Sequence, residues 1–212
     1  MKFTAALSAI ALALATTCEA VTHRQAQVTV QNNTPNNILS ISLVHKYSDN
    51  YKNEMQWPIL HPGDGSWPLL TADYNTGITT TGRDWWLLTW YSEDLKTQYY
   101  TDPNNFRGVF DALDKVAPDA IQAVIGSAAA LITSETGPVA AAAAAAAVAL
   151  AKETTKYMFN SEGTDGFKQH ILRSEDANAI TNIIINGDGT VTFQSRSGTS
   201  STVYTAKATK LE

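Results

Sequence analysis

Eight consecutive alanines, Ala140 to Ala147, stand between two flanks that alternate polar and apolar residues. That contrast limits the fold more than any other feature. Alanine is the best helix former because it loses no side-chain entropy in a helix. Alternation at a period of two marks a strand with one buried face. The chain must therefore combine a helical middle with strands on both sides. Helix-like sequence runs from about 105 to 160. Pro118 and Pro138 stand where a first helical turn tolerates proline, Asp119 is a favourable early acid, and Gly137 can end the preceding helix.

Strands are expected on either side. Val28 and Val30 share a face, and Asn32 to Asn37 make a polar turn. Leu39, Ile41 and Leu43 then fall on one parity, as a hairpin or as two successive strands. Residues 45–68 read as loop, with "HPGDGSWP" as turn chemistry. Residues 69–75 and 85–91 read as strands around the glycine-bearing turn "NTGITTTG". Beyond residue 161, "GFKQHILRSED" is a candidate strand. Ile183 to Phe193 is a hairpin through Asn186-Gly187-Asp188-Gly189, and "SGTSSTVYTAK" is a last strand. Short turns without βαβ alternation point to an antiparallel arrangement. The expected architecture is mainly β with inserted helices (α+β): an antiparallel β-sandwich with a helical insertion at about 105–160.

The N-terminus reads as a signal peptide over residues 1–20. Lys2 is followed by an apolar stretch to Ala15, and small residues precede a cut after Ala20. The only cysteine, Cys18, leaves with it, so no disulfide can staple the remainder. A chain of about 190 residues buries enough surface to form one unaided core. A single domain over 26–210, secreted and extracellular, is the expectation. The net charge of −5 comes with no basic run, which gives no electrostatic reason to expect nucleic acid or anionic lipid as a partner. Asn32-Asn33-Thr34 is a glycosylation sequon followed directly by Pro35.

The aromatic stretch "DWWLLTWY" (84–91) has two apolar faces. Trp86, Leu88 and Trp90 point one way, and Trp85, Leu87 and Tyr91 the other. A strand like that is buried on both sides. Trp57 and Trp67 each precede a proline in expected loop, where a surface lid or binding platform competes with simple packing.

Motifs for covalent chemistry are missing. There is no G-x-S-x-G elbow for a serine nucleophile, and Ser195, Ser197 and Ser200 lie in ordinary Ser/Gly/Thr sequence. The histidines lack zinc spacing, and "NGDGT" lacks the acids of a calcium loop. No glycine-rich phosphate cradle occurs, so no metal and no cofactor is expected. Residues 118–151 carry only Asp119 and Glu135 as charges, which raises membrane insertion as an alternative. Val139 to Ala151 would make a helix about 20 Å long, short of the ~30 Å hydrocarbon core.

The blocks "HKYSDNYK" (45–52), "YNTGITTTGRDWWLLTW" (74–90), "TDPNNFR" (101–107), "GFKQHILRSED" (166–176) and "SGTSSTVY" (197–204) together resemble the secreted domain family called "up-regulated in Daf", which has nematode and fungal members. The resemblance spans roughly residues 28–205. It implies a secreted domain and transfers no catalytic residue. The reading is then a non-enzymatic binding protein for a glycan, lipid or protein, with a membrane-active protein or a motif-less hydrolase as alternatives. Residues of these blocks that would form a ligand site at one end of the sheet are His45, Tyr47, Asp84, Trp85 and His170.

Overall fold

The computed structural model describes residues 21–47, 52–77, 83–102, 118–133, 136–158 and 167–209. The leader and residues 105–117 of the expected helical segment lie outside these. The strands are β1 (Thr22–Asn33), β2 (Ile38–Lys46), β3 (Lys52–Leu60), β4 (Leu70–Thr76), β5 (Trp85–Ser92) and β6 (Thr97–Asp102). Three helices follow: α1 (Pro118–Ile125), α2 (Ala128–Ile132) and α3 (Pro138–Met158). The chain then returns to β7 (Lys168–Gln169), a 3-10 turn at Ser174–Asp176, β8 (Ile180–Asn186), β9 (Thr190–Ser195) and β10 (Gly198–Ala208). Mainly β with a few helices is therefore the class.

The strands form one sheet in the order β3-β2-β5-β6-β10-β9-β8-β1-β4, with β7 appended to β5. The described strands make one sheet and not the two separate sheets of a sandwich. The sheet curls until its end strands, β3 and β4, face each other, so it is nearly a closed barrel. β3 and β4 remain the two ends of the hydrogen-bonded path, bridged by bonds from the Asn53 side chain to Asp73. Most neighbours are antiparallel, but β1 runs parallel to β8. Two neighbours along the path, β1–β8 and β6–β10, and the appended β5–β7 pair join the strands that precede the helices to those that follow them.

β1 and β2 do not pair. β1 lies between β4 and β8, and β2 between β3 and β5. They are successive strands and not a hairpin. Ser40 has φ +50° at a register shift between Leu39 and Ser42. This bulge reverses the parity of the strand. Ile41 and Leu43 consequently face the barrel interior, while Leu39 faces outward beneath the helices.

The interior is filled by β1 (Val28, Val30), β2 (Ile41, Leu43), β5 (Trp86, Leu88, Trp90), β8 (Ile183, Ile185) and β9 (Val191, Phe193). Trp86 and Trp90 of β5 are almost fully enclosed. The expected loop at 45–68 contains β3, and Trp57 sits in it, 2% exposed, with its Nε1 donating to Pro68 O at 2.8 Å. Trp57 is core and no lid, whereas Trp67 is 80% exposed. Among the described residues of "GFKQHILRSED", 167–176, only Lys168 and Gln169 are strand.

Helix α3 lies outside the barrel against β2 and β3. Its buried residues are Ala143, Ala147, Leu150, Ala151, Thr154 and Thr155. They recur at helical spacing, so one alanine stripe meets the sheet. Methyl side chains let the two backbones approach closely. Thr154 Oγ1 bonds Tyr91 OH at 2.9 Å, and Thr155 Oγ1 bonds Ser42 Oγ. Among the described residues no helix is long and apolar enough to cross a membrane.

Candidate functional site

The two ends of the barrel differ in chemistry. Strand β2 connects them: nine residues at ~3.3 Å each span about 30 Å. One end carries His45, Tyr47 and Asp84. The other carries the turn after β1 and the β5–β6 hairpin.

At the first end, Asp84 immediately precedes β5 and shares the inward parity of Trp86. Its Oδ1 lies 3.0 Å from His45 Nε2, and its Oδ2 accepts Leu172 N at 2.8 Å. Its backbone carbonyl accepts His170 N at 3.1 Å. The His45 ring stacks on Trp86 at 4.1 Å and on Tyr47 at 5.8 Å. Trp86 Nε1 in turn donates to His170 O at 2.9 Å. His45, Asp84 and His170 are thus brought together, with Tyr47 beside them.

Trp85 is not part of this group. Strand alternation turns it outward, where it packs with Val44, Leu87, Tyr100 and Phe167. Trp86 is the ring that sequence reasoning omitted. The shared parity of Asp84, Trp86, Leu88 and Trp90 was the available signal.

The proton positions follow from the bonds. Asn53 Nδ2 donates to Asp73 Oδ2 at 2.8 Å, and Asn53 Oδ1 accepts Asp73 N at 2.9 Å, which fixes the amide orientation. His45 Nδ1 faces that Oδ1 at 3.2 Å, so Nδ1 must donate. His45 Nε2 and Asp84 Oδ1 then share the second ring bond at 3.0 Å. The chain Asp84–His45–Asn53–Asp73 crosses the seam between β3 and β4, and Gln25 of β1 extends it by donating to Asp73 Oδ1 at 2.8 Å. His45 is 0% and Asp84 2% exposed. This polar chain is a stitch that holds the barrel shut. Tyr47 also borders an open pocket of about 620 Å³, lined further by His23, Arg24, Gln25, Asp73, Ala177 and Asn178.

His170 has hydroxyl partners that spacing alone did not reveal. Its Nε2 lies 3.2 Å from Ser195 Oγ and its Nδ1 2.9 Å from Ser200 Oγ. Burial lowers its pKa below the usual histidine value, Lys168 lowers it further, and Asp176 and Asp84 oppose the shift. For Asp176 burial is the largest influence and pushes the pKa up. The hydrogen bonds from Ser197, Arg173 N and Ser195 together outweigh it and leave the carboxyl below its ordinary value. The Ser195–His170 contact has the look of a nucleophile and base, but the group orienting His170 is another hydroxyl. A hydroxyl cannot stabilise an imidazolium as a carboxylate does. His170 is also 5% exposed and lines neither of the two pockets described here.

Asn32 is 1% exposed. Its Nδ2 donates to Asn36 O at 2.8 Å and Leu60 O at 3.0 Å, and its Oδ1 accepts Thr34 N and Thr34 Oγ1. Both amide protons are engaged inside the fold, so a glycan on Asn32 is incompatible with this conformation.

At the second end lies a groove of about 550 Å³. Trp90 and Tyr99 stack at 5.5 Å, and Tyr204 meets them edge-on at 5.0 and 5.6 Å. Asn37, Glu93 and Asp94 supply polar groups, and Ile132 of α2 one apolar wall. His61 Nδ1 bonds Asn37 Oδ1 at 2.8 Å, and Asn37 Nδ2 donates to Glu93 Oε2 at 3.0 Å. Glu93 Oε1 has no partner among the described residues. Asp94 accepts Ser92 Oγ and Lys96 N, which lower its pKa. Sequence reasoning missed this groove, whose lining comes from widely separated segments.

The fold is thus a nearly closed β-barrel with a helical layer on one side. A family model described as "Up-Regulated in long-lived daf-2" matches residues 22–204. The chain belongs to that family. A search of curated proteins returned no match.

Proposed function

We propose that this is a secreted, non-enzymatic binding protein that engages its ligand at the aromatic groove between the β1–β2 turn and the β5–β6 hairpin. The observation that carries the reading is the division of labour between the barrel ends. His45 and Asp84 are enclosed and occupied in closing the seam, and His170 is enclosed between Ser195 and Ser200. The groove offers half-buried aromatic rings beside a carboxylate oxygen still without a partner. Concave sites that mix aromatic surface with a few placed polar groups are the usual form of small-ligand pockets, and about 550 Å³ lies inside their roughly 300–1,000 Å³ range. Secretion is part of the proposal and rests on the leader-like residues 1–20.

The test is an assay of the purified protein and its Ser195→Ala variant against chromogenic esters and glycosides. No turnover is expected from either. Turnover that disappears in Ser195→Ala would replace the binding reading with a hydrolase built on the Ser195–His170 contact. For secretion, expression of the full chain in a eukaryotic host should place protein beginning near Val21 in the medium. Retention inside the cell would overturn that part.

A further inference from the structure

We propose that the groove lined by Trp90, Tyr99 and Tyr204 recognises a neutral sugar ring. The inference rests on the binding reading above and names the ligand class for the same groove. The aromatic trio gives a platform, since Trp90 is buried and holds Tyr99 at 5.5 Å with an interplanar angle of 13°. Tyr204 stands nearly perpendicular to both rings and closes one side. Aromatic faces are electron-rich. The polarised C–H groups on one face of a pyranose meet such a face favourably, while the ring's hydroxyls point sideways.

Those hydroxyls need planar polar partners at the rim. Asn37 and Glu93 provide them, because their mutual bond at 3.0 Å and the bond from His61 hold both groups in place. Glu93 Oε1 can accept a hydroxyl proton. Only one of the two Asn37 Nδ2 protons is used, by Glu93 Oε2, which leaves the other to donate to a hydroxyl oxygen. The charge at the rim narrows the class. Among the described residues Glu93 and Asp94 line the groove and no lysine or arginine does, so phosphate, sulfate and carboxylate ligands are repelled. A cation is the competing guest, since aromatic faces and acids also attract ammonium groups. The rings here pack against one another, however, and do not surround a void, which suits a flat ligand face better than a compact cation.

The experiment is isothermal titration calorimetry of the purified protein with maltotriose, cellotriose and triacetylchitotriose, with tetramethylammonium chloride as the cationic probe. Saturable 1:1 binding of at least one trisaccharide is expected, together with negligible heat from tetramethylammonium. Glu93→Gln, which keeps an acceptor for Asn37, should weaken binding at least tenfold without changing the circular-dichroism melt. Tyr99→Ala should abolish it. Tyr47→Phe at the opposite end should leave it unchanged. The proposal is overturned if none of the sugars binds, if Glu93→Gln binds as well as the parent protein, or if tetramethylammonium binds in preference. A failure here leaves the absence of turnover untouched, so it is distinguishable from a failure of the binding reading.

Discussion

Replacing Asp84 separates a structural stitch from an idle polar cluster. Asp84 is 2% exposed, hydrogen-bonds His45 Nε2 at 3.0 Å and accepts Leu172 N at 2.8 Å. Asp84→Ala removes both partners at once and leaves two buried nitrogens, His45 Nε2 and Leu172 N, unpaired. Each buried polar group left unpaired costs about 1–3 kcal/mol. Together they cost about 2–6 kcal/mol, a large share of the ~5–15 kcal/mol that holds a typical domain together. Urea unfolding followed by circular dichroism reads this directly. With a slope of ~2 kcal/mol/M the midpoint should fall by about 1–3 M. Asp84→Asn is the informative partner. His45 Nδ1 must keep its proton for Asn53, so Nε2 can accept from the new amide while the amide oxygen still accepts Leu172 N. Every bond survives, and the loss should stay near 1 kcal/mol, within the ordinary range for single substitutions. An Ala variant within about 1 kcal/mol of the parent, or an Asn variant as damaged as Ala, would refute this reasoning.

Three further outcomes are expected. Ala147→Leu forces a larger side chain into a fully buried position of α3 and should cost about 1–3 kcal/mol in urea unfolding, whereas Ala141→Leu on the exposed face should be nearly neutral. His170 has a lowered pKa when folded, so the unfolded chain takes up the proton first as pH falls. Its contribution is complete above about pH 6.5 and is lost progressively below it; Asp176, also lowered, adds a second loss below about pH 4. The urea midpoint against pH should show the first loss, and His170→Gln should flatten it. Intact mass of protein secreted from a eukaryotic host should show no N-glycan at Asn32, and treatment with a peptide N-glycosidase should not change it.

The elements legible in the sequence are those whose signals are local. The Asn186-Gly187-Asp188-Gly189 turn announces the β8–β9 hairpin, because Gly189 at φ +91° needs no Cβ there. The doubly apolar β5 declares itself because its outward face lies under other elements and its inward face fills the barrel. What stayed hidden depends on distant partners. β3 reads as loop because its one proline, Pro58, and its polar residues disguise an edge strand, the place where proline is tolerated. Barrel closure depends on bonds between Asn53 and Asp73, which no periodicity encodes. The bulge at Ser40 reverses a face without leaving a compositional mark. Among the site residues, His45, Tyr47, Asp84 and His170 could be gathered from short blocks, but Trp85 could have been separated from them by parity alone. The groove draws Asn37, Glu93, Tyr99 and Tyr204 from separate turns and strands, so only the folded topology brings them together.

The most direct measurement is a backbone amide chemical-shift map of isotope-labelled protein titrated with the trisaccharide that binds most tightly. The account predicts that signals of Asn37, Glu93, Thr97, Tyr99 and Tyr204 move with the ligand while those of His45, Asp84 and His170 stay fixed. Shifts centred on His45, Asp84 and His170, with the groove residues unmoved, would contradict it.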